Sequence, residues 1–386
     1  MRIPGPEHFR SRLRSPAVAA RVGVWLGATF GICFLTGLVS HYAQLPAPSV
    51  PFPASPSWGY RLTQGLHVTS GTAAVPLLLV KLWSVYPRLF ERVDVRAGRQ
   101  LLLTALERGS IAVLVASAIF QLVTGAMNAA QWYPWTSFSF RTIHYAFAWV
   151  AIGALLLHIA VKLPVIRDVL TGDIEETTHD RPTAVQPGSL SRRGLVRATV
   201  AAGGVAAVAT AGSTVPLLRE VSVFGVRSGA GPAGVPVNKS AAAAEVEVAA
   251  TSPDYLLRIT VDGREIGAFT LGDLRALPQH SEELPIACVE GWSASAVWGG
   301  VRVRDLLAVT GIGADRDVGV VSLQEAGPFR RTILPANFAQ DERSLLALDL
   351  AGEPLDLDHG YPCRLIAPNR PGVLQTKWVA ALEVTT

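Results

Sequence analysis

Two hydrophobic patterns divide the chain. Up to about Leu218 the apolar residues come in long runs, about Val18 to Val39, Leu66 to Trp83, Ser110 to Met127, Ile143 to Leu163 and Leu195 to Leu218. Each approaches the length a helix needs to cross ~30 Å of hydrocarbon, so the pattern predicts four membrane helices and then a fifth. From Asp254 to Thr386 the runs shorten, alternate with polar positions and are punctuated by turn residues. YLLRITVDGREIGAFT sets Asp262-Gly263 between two strand-like runs, a hairpin signature. LGDLRALP reads as a short helix, LPIACVEGWS as a buried strand entering a turn, and GVRVRDLLAVTGI as a strand end followed by a helix. VGVVSLQEAG and FRRTILPANFA read as further strands. Arg219 to Ala250, rich in Gly, Ala, Val and Pro without a period, reads as a partly extended linker. The predicted organisation is a four-helix membrane domain over 1–165, a cytoplasmic loop and fifth transmembrane helix over 166–218, a linker over 219–250, and an α+β domain over 251–386.

Charge refines this picture. The 386 residues are 49% hydrophobic and 17% charged, with net charge +4, and the basic residues gather in short loops, which argues for membrane topology and against nucleic-acid binding. Arg2, Arg10, Arg12, Arg14 and Arg21 precede or open the first run. Lys81, Arg88, Arg92, Arg96, Arg99 and Arg108 surround the second loop, and Lys162, Arg167, Arg181, Arg192 and Arg193 the fourth. The opposite loops hold essentially Arg61 and Arg141. The N-terminus is therefore expected in the cytoplasm, and five crossings leave the α+β domain outside. Ser191-Arg192-Arg193, ahead of a small and weakly apolar helix, resembles a twin-arginine export signal, the route for domains that fold around a cofactor before crossing. Ordinary positive-inside charge is the plainer account of the same pair. Three cysteines do not make a disulfide framework.

Four histidines fall in or beside the apolar runs: His41, His67, His144 and His158. His144 and His158 are fourteen residues apart on one predicted helix, roughly 21 Å along its axis and within about 40° of one face. Imidazole is a common axial ligand of haem iron, and inward-facing ligands from separate helices are the usual way to hold it. By depth, His67 and His144 both lie near the outer surface and form the expected haem pair. His158 lies at the inner depth without a histidine partner, so it is the candidate for a second haem only with a different ligand opposite. The four-helix set resembles membrane b-type cytochromes that exchange electrons with the quinone pool. The competing reading has these histidines hydrogen-bonded to neighbouring helices.

Cys288 taken alone is a small buried hydrophobe. No zinc-type spacing and no Cys-x-x-Cys pair surrounds it. The run CVEGWS, then WGGVRVRDLL, then HGYPCRLIAPN and QTKWV resembles the molybdopterin-binding domain of the sulfite oxidase superfamily, and within it the periplasmic protein-methionine-sulfoxide reductase catalytic subunits. The likeness spans roughly Asp254 to Thr386. It implies molybdenum-molybdopterin as cofactor and Cys288 as the protein ligand to the metal. It implies Ser322 as a hydroxyl contact, His359 and Arg364 as donors to the pterin or its phosphate, Gln375, Thr376 and Lys377 as an anion-binding loop, and Asn238 as a contact from the preceding segment. Cys363 is assigned to packing. Val289, Glu290, Gly291, Trp292 and Ser293 follow the cysteine where sulfite oxidases carry an arginine cluster, which argues against sulfite.

Together these readings predict a membrane-anchored oxidoreductase that takes electrons from quinol through haem b and reduces an S-oxide or N-oxide outside the membrane. A sulfite or other small-molecule dehydrogenase running oxidatively is the alternative, and a non-catalytic pterin-binding sensor or assembly module is another. Tungsten would satisfy the same ligand set.

Overall fold

The computed structural model describes residues 5–90, 98–134, 139–225 and 231–385. Arg2, Arg92 and Arg96, part of the charge count above, lie outside the described residues. The chain divides into two compact units, one of Met1–Gly37, Leu66–Gly212 and Leu218–Gly225, the other of Leu38–Gly65, Ser213–Leu217 and Val226–Thr386.

The first unit is built from α1 (Pro16–Ala43), α2 (Gly59–Val85), α3 (Gly98–Ala129), α4 (Phe140–Thr171) and α5 (Arg192–Thr210), of which the ends of α1 and α2 belong to the second unit. Among the described residues, five helices are long and apolar enough to cross a membrane. Their flanks are mostly exposed Val, Leu, Ile and Trp, as lipid-facing surfaces are. Ser139 caps α4 and Ser191 caps α5, each accepting from a backbone N–H three residues on. The fifth helix stops at Thr210, short of the expected Leu218. Gly212 is why the chain can turn there: an added Cβ would meet Ser222 Cβ at 2.6 Å and Leu218 O at 2.8 Å.

The second unit carries α6 (Ala241–Ala244), α7 (Glu247–Ala250), β1 (Leu257–Val261), β2 (Arg264–Phe269), α8 (Leu271–Ala276), β3 (His280–Ala287), β4 (Ser293–Arg302), α9 (Val303–Val309), β5 (Val318–Ser322), β6 (Arg331–Leu334), α10 (Ala336–Ala339), β7 (Leu345–Leu350), β8 (Glu353–Pro354), β9 (Arg364–Ile366) and β10 (Val379–Val384). One sheet has the order β2-β1-β10-β5-β6, and the other β3-β4-β7-β8 with β9 also on β7. All pairings are antiparallel except β1 with β10. Strand β7 explains the packing: Leu346 and Leu348 enter the larger core with β1, β5, β10 and α9, whereas Leu345 and Ala347 face a second cluster holding Cys288, Trp292 and Trp298. Period-two alternation on a strand apolar at both faces makes it the wall between them.

The β1–β2 hairpin turns at Asp262 (φ 48°) and Gly263 (φ 79°), the left-handed pair that Asp-Gly favours. Thr270 and Asp273 close a capping box on α8. Two stretches differ from the sequence reading. Ala-Asn-Phe-Ala, expected as strand, is the helical turn α10, because Pro335 ends β6 and Ala336 N–H then bonds Asp317 Oδ1 at 2.9 Å. The end of the expected linker is helical, since Ser240 caps an alanine run and Ala241, Ala244, Val246 and Ala250 pack on Trp378.

Candidate functional site

Cys288 follows the last residue of β3 and opens the turn into β4. Its N–H donates to Trp292 O at 2.9 Å and its carbonyl accepts from Gly291 N at 3.0 Å. Thr214 Oγ1 donates to Gly291 O and pins the same turn. The sulfur is buried, 3.7 Å from Glu290 Oε2, which also accepts from Trp292 Nε1 at 3.1 Å. Burial first, and the Glu290 charge second, push this thiol well above its usual range. At neutral pH it stays protonated unless a cation such as a metal ion takes the proton's place.

Four of the expected residues converge on one small cavity. His359, Arg364, Lys377 and Asn238 line it together with Val235, Pro236, Ile286, Trp292 and Gly372, and it encloses about 10 Å³. Arg364 donates Nη1 to His359 O (3.0 Å) and Nη2 to Gln375 O (3.1 Å), and lies 5.0 Å over the Trp298 ring. Lys377 Nζ donates to Lys239 O (2.5 Å) and Asp358 O (2.8 Å), and His359 Nε2 bonds Pro232 O at 3.2 Å. These acceptors are neutral carbonyls. Burial pulls Arg364 down to about 9. Burial and then the Arg364 charge pull Lys377 down to about 7, and burial with Arg364 and Lys377 holds His359 at about 4.

The donor set fits an anionic pterin cofactor. Arg364 Nε is buried without a hydrogen-bond partner among the described residues, and Lys377, like Arg364 itself a cation with depressed affinity for its proton, stands beside it. A phosphate among them supplies both the missing acceptor and the missing charge. Seating a group as large as a pterin requires the closed walls to part.

The remaining expected residues sit around this cavity as supports. Ser322 Oγ donates to Lys377 O (2.8 Å). The Gln375 amide clasps Ala367 through both N–H and C=O at 2.8 Å, and Thr376 Oγ1 lies 2.9 Å from Thr332 Oγ1. Cys363 is buried in the larger core, where Tyr255 Oη lies 3.1 Å from its sulfur, in keeping with packing.

Three residues escaped the sequence reading. Arg370 is buried, donating Nε to Leu374 O (3.0 Å) and Nη2 to Ile333 O (2.8 Å), and burial pulls it down to about 9. Arg61 donates Nε to Ser293 Oγ (2.6 Å) and Nη2 to Ser295 Oγ (2.9 Å), on the strand paired with the one that ends before Cys288. Tyr60 packs against Ala287 and gathers Ser40, Gln44 and Gln64 on its hydroxyl. Arg370 follows the quoted HGYPCRLIAPN directly, so extending that motif by one step would have included it. Arg61 and Tyr60 stand in the first turn of α2, and no local pattern ties that turn to the strands of this domain.

In the helical unit, His67 and His144 face each other with ring centroids 6.3 Å apart. His67 Nδ1 donates to Cys33 O (2.9 Å). Thr124 Oγ1 spends its proton on Phe120 O (2.7 Å) and so accepts from His144 Nδ1 (3.0 Å). Nε2 is then the lone-pair nitrogen on both rings. Glycines stand against both: a Cβ at Gly37 would lie 3.1 Å from His67 Cε1, and one at Gly125 3.7 Å from His144 Cε1. The charged neighbours of His158 are Lys81, Lys162 and Glu107, and Lys162 is ion-paired with Glu107.

Residues 243–386 match the family model described as oxidoreductase molybdopterin binding domain. The putative protein-methionine-sulfoxide reductase subunit YedZ1 of Azospira oryzae is 36% identical over 118 residues, 31% of this chain and 44% of that protein. The mitochondrial sulfite oxidase of Drosophila melanogaster is 31% identical over 156 residues (34% of this chain, 27% of that one). The sulfite oxidase of Arabidopsis thaliana is 30% identical over 146 residues (29% and 37%). The chain thus spans less than half the length of each of these relatives. It carries a molybdopterin-binding oxidoreductase domain related to the sulfite oxidases, joined to a multi-helix membrane domain related to YedZ-like proteins.

Proposed function

We propose that this chain is a membrane-anchored molybdenum-cofactor enzyme that oxidises a small sulfur-containing anion outside the cytoplasm and passes the electrons through a b-type haem to the quinone pool. The observation that carries the reading is the buried group Arg364, Lys377 and His359 near the Cys288 strand, with cations whose hydrogen bonds among the described residues go to neutral backbone carbonyls. In this reading Cys288 binds the metal, Arg364, Lys377 and His359 bind the pterin phosphate, and Asn238 closes the cavity from the preceding segment. Ser322, Gln375 and Thr376 hold the Lys377 loop in place. Molybdenum bound there supplies two-electron oxygen-atom transfer.

The oxidative direction is supported by the run of sulfite oxidases among the relatives. It also answers the missing arginine cluster after Cys288. Arg61, on Ser293 and Ser295, brings a guanidinium group to that strand pair from elsewhere in the chain. Reduction of an S-oxide is the second reading, favoured by the likeness to the protein-methionine-sulfoxide reductase subunit.

The paired His67 and His144 support the haem. In this reading His67 and His144 would hold it through their imidazoles. A haem there supplies one-electron transfer to quinone. The basic loops support an N-terminus in the cytoplasm and a pterin domain outside, and the twin-arginine-like Ser191-Arg192-Arg193 suits export of a cofactor-loaded domain.

The test is turnover of purified full chain with sulfite and a dye acceptor against methionine sulfoxide and a dye donor, alongside metal analysis. Molybdenum near one per chain, its loss in Cys288→Ser, and dye reduction by sulfite are expected. Sulfoxide turnover with no sulfite activity transfers the assignment to the second reading. Wild type without molybdenum, made in cells that synthesise the cofactor, rejects both.

A further inference from the structure

The Ser191-Arg192-Arg193 pair does two different things once folded. Arg192 is buried: it is ion-paired with Asp180 and donates to Glu176 O (2.6 Å), Ile174 O (3.2 Å) and Arg12 O (3.2 Å). It is a clamp that ties the α4–α5 connection to the start of α5. Arg193 points elsewhere. With Arg21 and Arg197 it borders a cavity of about 350 Å³, whose other walls are Gly172, Asp173, Ile174 and Val196.

The lining is amphipathic. Ile174 belongs to an apolar cluster with Ala17, Ala20 and Val169, against which Val196 packs, so one wall is greasy. The other is cationic. Arg193 and Arg197 are four apart on α5 and share a face. Arg21 comes from α1 and donates to Val169 O and Gly172 O, both at 2.8 Å, and to Ala17 O at 3.4 Å, which leaves part of its five-donor fork for a ligand. Asp173 is the one carboxylate in the lining, and its nearest approach to Arg193 is a loose 3.9 Å. Three guanidiniums therefore face one carboxylate. The start of α1, the end of α4 and the start of α5 meet here, so the cavity lies at one end of the membrane-spanning helices, where lipid phosphates lie.

We propose that this cavity binds a phosphate anion presented by the headgroup of an anionic phospholipid, with Arg21, Arg193 and Arg197 on the phosphate and the Ile174–Val196 wall against the glycerol and upper acyl chain. Basic pockets between membrane helices are the usual form of such sites. The second arginine of the export-like pair is then a lipid ligand in the finished protein, whatever its part in delivery.

The test uses the full chain in detergent, with thermal unfolding followed by tryptophan fluorescence while short-chain phosphatidylglycerol, short-chain phosphatidylcholine or inorganic phosphate is added. A saturable upward shift with phosphatidylglycerol, absent with phosphatidylcholine, is expected. Arg193→Gln with Arg197→Gln should weaken the apparent affinity roughly thirtyfold, about 1 kcal/mol per arginine. Both side chains leave the Arg192 clamp untouched, and an unchanged unfolding midpoint without lipid verifies that the double variant folds. Equal shifts with both lipids, or an undiminished shift in the folded double variant, overturn the site. Stabilisation by inorganic phosphate with none by phosphatidylglycerol overturns the lipid assignment.

Discussion

A lysine that gives up its proton near neutrality couples the pterin site to pH. Lys377 falls from an ordinary 10.5 to about 7, because burial and the Arg364 charge both oppose its protonation. The folded-state value is depressed, so without an anion the chain is most stable above the unfolded value and loses stability as pH falls toward 7, where the unfolded state holds more protons. Below about 7 this contribution is constant. A phosphate reverses the balance by favouring the ammonium, so cofactor retention should strengthen as pH drops toward 7 and level off below it. Unfolding midpoints of cofactor-free protein across pH 6 to 10 should rise with pH in the wild type and flatten in Lys377→Met, while pterin content collapses in that variant. An unchanged slope in Lys377→Met would assign the proton linkage to another group. Cys288, His359, Arg364 and Lys377 could be named from sequence because short motifs carry them. Their electrostatic tension could not, since it arises from burial against neutral carbonyls that only the tertiary fold supplies.

At the scale of elements, local chemistry was legible and long-range closure was not. Asp262-Gly263, the Thr270 capping box and the five apolar runs are written within a few residues each, and the structure places elements on all of them. Pro335 cutting off β6 and Trp378 recruiting the alanines of α6 and α7 depend on contacts distant in sequence, as do the α1–α2 loop and the start of α2: Pro46 O accepts from Ile333 N at 2.7 Å, and Asn369 Oδ1 accepts from Tyr60 N at 2.5 Å. The segment around Gly372 is another such closure. A Cβ there would sit 3.1 Å from Ile286 Cγ2 and 3.2 Å from Ala287 O, at the end of β3 and one residue from Cys288. Gly372→Val should therefore cost on the order of 1–3 kcal/mol through overpacking and displace the metal-ligand strand. Thermal unfolding reads the first effect and molybdenum per chain the second. Full metal loading in a variant with a lowered midpoint would mean that β3 absorbs the strain away from Cys288.

For the molecule as a whole, the proposed oxidation that feeds quinone would use two redox groups on this chain, and their loss should be separable. His67 and His144 stand with ring centroids 6.3 Å apart in the helical unit, whereas the candidate pterin residues belong to a second unit with its own sheets and cores. In the proposed reading, substituting either histidine removes one imidazole that would hold the haem without touching the cations of the candidate pterin site. His67→Ala and His144→Ala are thus expected to abolish the b-type α band in reduced-minus-oxidised spectra and to stop quinone reduction. Molybdenum content and dye-coupled turnover should persist, because the dye takes electrons directly at the molybdopterin-binding domain. His158 is the internal control. Its charged neighbours are Lys81, Lys162 and Glu107, so His158→Ala should keep the band if the His67–His144 pair holds the single haem. Loss of about half the band in His158→Ala would instead establish a second haem at the inner depth. Wild-type membranes without a b-type band would remove the haem altogether and require the electrons to leave the pterin domain toward a separate soluble or membrane partner.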